Sequence, residues 1–305
     1  MENNYLSSGT IIGNAWRKRI VIPGFNIPYL PMMEPVIRAL SDTETFGFIM
    51  VARLEWIKFR SGSMRAVRDE YNKLKDLRFT RLHLDHVPVI DEDNLRTDYK
   101  NIISEAIDLG YDSVMIDGSR LPLKENIDAT RTVTDIAHKS GIPVEAELGA
   151  VMGHESGPMP PYDELFNTGK GFTSPEEARK FVEETGTDWL SVAIGNVHGA
   201  ISAAARTGKK IEARLAIPHL IGINDAVHIP LVLHGGTGIS KDYLLQSFSH
   251  GIAKINIATA IRQPYEKLMD TSIKAAQDAV YNQMLDIINN QLEIKASARK
   301  LFNDL

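Results

Sequence analysis

Residues 230–259 read PLVLHGGTGISKDYLLQSFSHGIAKINIAT, and the fold turns on this stretch. A short apolar run at 230–233 leads into a glycine-rich turn. A segment with helical spacing follows at 241–249, and a second apolar run at 253–257. Strand, helix and strand in so short a span read as a parallel pair joined by a helical crossover. Further β-rich runs lie at 20–25, 46–51, 79–84, 113–116, 143–146 and 189–194. Helical spacing with a charged face appears between them, for example at 64–74, 100–109, 127–138 and 175–185. The strand runs are nearly continuous in apolar residues, as expected when both faces of a strand are covered. Helix boundaries agree: Ser174-Pro175-Glu176-Glu177 supplies an N-cap, a proline at the first helical position and acids in the first turn, and Gly186 marks the stop. The pattern predicts an α/β fold, a (β/α)8 TIM barrel. A doubly wound open sheet shares the periodicity, but no GxGxxG follows the first strand. Gly24-Phe25-Asn26-Ile27-Pro28 stands there, with proline where a phosphate-binding amide would be wanted. One domain is expected over 1–305, the barrel occupying about 18–262 and a helical extension 263–305.

Composition narrows the function. The chain has 305 residues, 43% hydrophobic and 24% charged, which excludes a disordered or collagen-like chain. A formal net charge of −5 gives no reason to expect nucleic acid as a partner. Without cysteine, any metal site must be built from His, Asp and Glu. No apolar run approaches the ~18–20 residues that span a bilayer. The first twenty residues lack a basic start followed by an apolar block, so no leader peptide and no membrane partner are expected, and the default is a cytoplasmic protein. Two regions break the βα rhythm. Residues 149–173 form a long Gly/Pro-rich connection of the kind used for active-site lids. Two amphipathic helices, roughly 266–279 and 281–303, are expected to cover a barrel end or a partner subunit.

In such barrels the side chains at the C-terminal strand ends line the active site. His86, His198 and His234 fall at the ends of strands three, six and seven. Three imidazoles leave an open position for substrate or water, the pattern of a catalytic metal. Asp85, Asp117, Glu147 and Glu155 lie where they could serve as base, supporting partner or alternate ligand. His83 and His154 receive no role, and His138, His219, His228 and His250 read as solvated or structural. The turn His234-Gly235-Gly236-Thr237-Gly238 and the strand end Asn256–Thr259 form a second constellation, suited to holding a phosphate by backbone amides or to nothing more than a tight turn.

Blocks in order and spacing carry a resemblance: GFN at 24–26, HLDH at 83–86, GYDSVMIDGSRLPLKEN at 110–126, VEAELG at 144–149, FVEETGTDWLSVAIGNVHG at 181–199, PLVLHGGTGI at 230–239 and GIAKINIAT at 251–259. Across 23–265 the sequence resembles the class II, zinc-dependent ketose-phosphate aldolases, whose members act on fructose bisphosphate, tagatose bisphosphate and related sugar phosphates. The resemblance implies that His86, His198 and His234 bind Zn2+, with Asp117 and Glu147 able to hold the metal in an alternate position. It implies that Asp85 exchanges a proton with the aldehyde-derived hydroxyl and that Glu155, in the long loop, moves the proton on the ketone carbon. Gly199, Gly235, Gly236, Thr237, Asn256 and Thr259 match positions around the dihydroxyacetone phosphate half, and Asn26 is a further candidate for substrate binding. The chemistry explains the residue types: cleavage leaves a carbanion on the ketone half, and without a Schiff-base lysine a Lewis acid must take up the charge.

The departures bear on the substrate. Arg53 stands where the family usually has a serine; it is either a salt-bridged arginine or a reader of a carboxylate or phosphate. Ala258 replaces the usual acid or amide before Thr259. The lysine expected after His198-Gly199 is absent, and Val87-Pro88 follows HLDH in place of glycine. Arg299 is the only arginine beyond Arg262, so a distal-phosphate arginine has no clear counterpart. The expected function is therefore a metal-dependent aldolase whose best substrate is not fructose 1,6-bisphosphate. A sugar-phosphate epimerase using the same carbanion chemistry, and a non-catalytic sugar-phosphate-binding homologue, are the alternatives. A homodimer or homotetramer is expected from the resemblance. A three-histidine site could also hold cobalt, iron or manganese.

Overall fold

A computed structural model describes residues 6–149, 161–197 and 213–302. The chain opens with helix α1 (Ser8–Lys18), then β1 (Ile22–Asn26), α2 (Met33–Asp42), β2 (Gly47–Ala52), α3 (Arg53–Lys58), α4 (Met64–Leu74) and β3 (Thr80–Pro88). It continues through α5 (Tyr99–Asp108), β4 (Ser113–Asp117), α6 (Leu123–His138), β5 (Val144–Leu148), α7 (Tyr162–Thr168), α8 (Pro175–Thr185) and β6 (Trp189–Val192). The last part holds α9 (Ile217–Val227), β7 (Leu231–Leu233), α10 (Lys241–Ser249), β8 (Ile252–Ile257), α11 (Thr259–Leu268), α12 (Ile273–Asp286) and α13 (Ser297–Phe302). The eight strands close into a barrel in sequence order. Every pairing is parallel, and β1 closes on β8 with Gly24 opposite Asn256. This is the (β/α)8 barrel that the sequence predicts.

The strand period of two divides each apolar run between two surfaces. Ile49, Val51, Leu82, Leu84, Val114, Ile116, Leu190 and Val192 face outward and pack with helix residues such as Val36, Leu40, Val67, Ile127, Phe181 and Leu220. Their neighbours Ile22, Phe48, Met50, Trp189, Val232 and Ala253 form a second cluster with Ile11, Ile12 and Ala15 of α1 and Ala298 and Leu301 of α13. Helices α1 and α13 thus close the N-terminal end of the barrel. Further along the interior, toward the C-terminal rim, the same alternation presents polar side chains: His83 and Asp85 on β3, Glu145 and Glu147 on β5, Lys254 and Asn256 on β8, all buried.

The elements outside the barrel differ from the sequence reading in three places. Helix α1 is not among the expected elements; Ser7 caps it by accepting from Thr10 N, and Arg19 ends it in the left-handed conformation. The helix expected at 266–279 is divided, because Ser272 caps a new helix by accepting from Ala275 N. The helix expected at 281–303 is instead the end of α12, one π turn (Ile287–Gln291), a bend with Glu293 and Ala296 at positive φ, and α13. Helical periodicity continues through such breaks, so the sequence pattern does not reveal them. Within the long connection, α7 is a formed helix that ends on left-handed Gly169. No helix among the described residues is long and apolar enough to cross a membrane.

Candidate active site

The site is built on β3. A regular strand would send Asp85 and His86 to opposite faces. Here the β3–β4 register shifts between Leu84 and Val87, and His86 adopts φ 30°. That bulge turns two consecutive side chains toward the same cavity, at the cost of a left-handed backbone in a residue with a Cβ. The His86 and His234 rings lie 4.6 Å apart, centroid to centroid, at 69°.

Asp85 is held from both sides by amides. Asn26 Nδ2 donates to its Oδ2 at 2.8 Å and Asn256 Nδ2 to its Oδ1 at 2.9 Å. Burial alone would raise its pKa, but the charges of His86, Lys254 and His234 outweigh burial and hold the carboxyl below its ordinary range. His86 shows the opposite balance. Burial disfavours its charge, yet Asp85, Asp117 and Glu147 push its pKa up to about 10. Its Nδ1 lies 3.2 Å from Asp117 Oδ2 and 4.0 Å from Glu147 Oε2. Asp117, at the end of β4, also accepts from Ser119 N and Oγ at 3.0 and 2.6 Å. Glu147 is pushed up by burial and by the charge of Asp117.

His234 follows β7. Its Nε2 faces Glu145 Oε1 at 2.8 Å, and Glu145 Oε2 accepts from Trp189 Nε1 at 2.7 Å and Lys254 Nζ at 2.8 Å. Burial opposes the charge of Glu145, but Lys254 and His234 hold it well below the carboxylate range. An ionised Glu145 can only accept, so Nε2 of His234 faces it as a donor, while Nδ1 lies 3.1 Å from Glu147 Oε2; burial opposes the charge of the ring, but these two carboxylates raise its pKa.

Two groups of side chains offer ligand atoms within 4.8 Å of one another at the cavity: Asp85, His86 and His234, and His86, Asp117 and Glu147. Buried Glu147 Oε2 lies between the two imidazoles, 3.1 Å from His234 Nδ1 and 4.0 Å from His86 Nδ1. Imidazole and carboxylate donors of this kind suit a divalent transition metal. A third group, His83, Asp85 and Glu145, lies deeper, but the Lys254 ammonium already neutralises Glu145 there. His83 keeps its ring neutral; burial and then Lys254 lower its pKa to about 3, and Nδ1 lies 2.8 Å from Ser113 Oγ.

The structure thus brings together Asp85, His86, His234, Asp117, Glu147, Asn26 and Asn256. Gly235, Gly236 and Thr237 form the turn after β7, and Thr259 opens α11 after β8. A Cβ on Gly236 would stand 2.6 Å from Cδ1 and 2.8 Å from Cγ1 of Ile255, so the close approach of this turn to β8 favours glycine. Asn256 reaches Asp85 and Lys254 with its side chain. Arg53 begins α3 directly after β2, and its Nη1 lies 3.4 Å from Asp91 Oδ2. Arg299 is on α13 at the opposite end of the barrel, bonded to Glu44. His198, Gly199, Glu155 and His154 lie outside the described residues. Sequence reasoning assigns no role to Glu145, Lys254 or Glu55. The signal is present in the first two, as charged residues on the inward positions of otherwise apolar strands.

The family model for fructose-bisphosphate aldolase class-II matches residues 7–304. The chain belongs to the class II fructose-bisphosphate aldolase family. A Staphylococcus aureus fructose-bisphosphate aldolase is 33% identical over 261 residues, 85% of this chain and 80% of that protein. A Staphylococcus epidermidis fructose-bisphosphate aldolase is 33% identical over 238 residues, 77% of this chain and 74% of its own. The crystal structure of the YdjI aldolase from Escherichia coli K12 superposes with a TM-score of 0.73 at 28% identity, covering 96% of this chain and 99% of that one. The chain is an aldehyde-lyase of a metal-dependent class, and its donor groups fit that dependence.

Proposed function

We propose that this aldolase cleaves a ketose phosphate other than fructose 1,6-bisphosphate, reversibly, into dihydroxyacetone phosphate and an aldehyde. The observation that carries the reading is Asp85, an ionised carboxylate clamped by Asn26 and Asn256 beside His86 and His234. His86 and His234, joined by His198, would hold the metal, with Zn2+ the first candidate and Asp117 and Glu147 offering an alternate position. When bound, the metal supplies Lewis-acid stabilisation of the negative charge that develops on the ketone half. Asp85 takes the proton from the hydroxyl on the carbon whose C–C bond breaks. Its two amide clamps fix the carboxylate in one orientation for that transfer. Glu155 returns a proton to the ketone carbon, a role that rests on the resemblance. The Gly235–Thr237 turn and Thr259, at the N-terminus of α11, would receive the phosphate through backbone amides. Gly199 joins them by resemblance.

Arg53 is proposed to read an anionic group on the aldehyde half, a carboxylate or a second phosphate. Asp91 Oδ1 is engaged by the Leu95 and Asp93 amides at 2.9 and 3.1 Å, so Asp91 is a fixed anchor against which the guanidinium is set. An acidic sugar phosphate is accordingly the favoured substrate class, and a homo-oligomer the expected assembly. The test is release of dihydroxyacetone phosphate from a panel of ketose phosphates and acidic sugar phosphates, with and without chelator. Chelator-sensitive release that is poorer from fructose 1,6-bisphosphate than from an acidic member supports the reading. Best turnover of fructose 1,6-bisphosphate overturns the substrate assignment, and epimerised product without cleavage overturns the lyase reaction.

A further inference from the structure

Helix α3 is built against the usual pattern. Its buried residue is Glu55, whereas Ile57 is half exposed. An acid turned inward on a short surface helix is costly unless it is partnered. Glu55 Oε2 accepts from Ala52 N at 2.8 Å, reaching back to the helix N-cap, and lies 3.5 Å from Asn26 Nδ2. Ala52 has no side-chain acceptor to complete a reciprocal cap. It is paired in register with Asp85, so Glu55 returns to the level of the site. The Asn26 amide has two hydrogens, and its nitrogen meets a carboxyl oxygen on each side: Asp85 Oδ2 at 2.8 Å and Glu55 Oε2 at 3.5 Å. Turned the other way, the amide would present its oxygen to both acceptors.

We propose that Glu55 is a positioning residue for Asp85, fixing through the Asn26 amide the orientation in which Asp85 receives its hydrogen bond. This rests on the reading of Asp85 as the acid/base group. Burial pushes the Glu55 pKa up to about 8 despite the Ala52 amide. A neutral Gln at this position therefore retains the acceptor that matters, and a Leu removes it.

The experiment compares E55Q, E55L and E55A in the metal-loaded enzyme on whichever ketose phosphate the wild type cleaves. In E55Q, kcat should stay within about threefold of wild type. In E55L and E55A it should fall about tenfold or more, with KM nearly unchanged and metal content intact by elemental analysis. In parallel, protein labelled with 15N-asparagine gives a readout that needs neither substrate nor metal. The Asn26 side-chain NH2 signals, assigned by their loss in N26D, should move in E55L and E55A and stay in place in E55Q. Equal loss of kcat in all three variants, a loss confined to KM, or unmoved Asn26 signals in E55L and E55A would overturn the proposal. So would a lowered melting temperature with unchanged kcat, which would reduce Glu55 to a helix cap. Should E55L fail to fold, E55A carries the test. Absence of cleavage by the wild type refutes the functional reading, while the Asn26 signals still decide independently whether Glu55 orients the amide.

Discussion

At the scale of single residues, the site separates like charges by environment. Asp85 is kept ionised by cations and amides, whereas Glu55 is pushed toward its neutral form by burial. The aldolase reading makes Asp85→Asn the decisive single substitution. It preserves shape and removes the base, so kcat/KM should fall by ~10²–10⁴ while elemental analysis shows the metal retained. Loss of metal from that variant would place Asp85 among the ligands. Glu55 also predicts a pH dependence of stability. An unfolded Glu releases its proton near ~4.3, but folded Glu55 keeps it up to about 8. Between those values the folded state binds more protons, so this contribution is present at low pH and is lost as pH rises through the folded pKa. Melting temperatures measured from pH 5 to 8 should fall less steeply in E55Q than in wild type.

At the scale of elements, the interior faces of β5 and β8 meet in an ion pair that touches no solvent. Glu145 and Lys254 are both fully buried, and Trp189, His83, His234 and Asn256 surround them. Breaking one side of such a pair leaves a buried charge without its counterion. Lys254→Met should cost about 3–5 kcal/mol in urea unfolding, and the double variant E145Q/K254M should recover part of that loss. A cost below about 1 kcal/mol in the single variant would show that the pair is not energetically coupled. The β3 bulge is the other decisive element. Motif spacing reveals that Asp and His are adjacent in HLDH. It does not reveal that a register shift and one left-handed residue are what turn both inward.

At the scale of the molecule, the barrel assigns chemistry and stability to opposite ends. Helices α1 and α13 close the N-terminal end over Phe46, Phe48 and Trp189, and Leu301 is fully buried there. Leu301→Ala should therefore destabilise the protein by ~2–5 kcal/mol, as a cavity in a packed core does, yet leave kcat at the far end unchanged. A marked fall in kcat below the melting transition would show that the two ends are coupled.

Local sequence is enough to dictate the alternation of strands and helices and the histidines and acids at the strand ends. These are short-range properties, written in periods of two and 3.6 residues and in local motifs. Which polar groups meet is a matter of tertiary structure. Glu145 and Lys254 are separated by 109 positions, and Asn256 and Asp85 by 171, so only barrel closure and strand register make them neighbours. The same holds for Arg53, which as a residue type suits either an ion pair or an anion site, and whose partner Asp91 is set by the loop after β3. Charges in a buried network take their protonation from neighbours within a few ångströms, and those neighbours come from different strands.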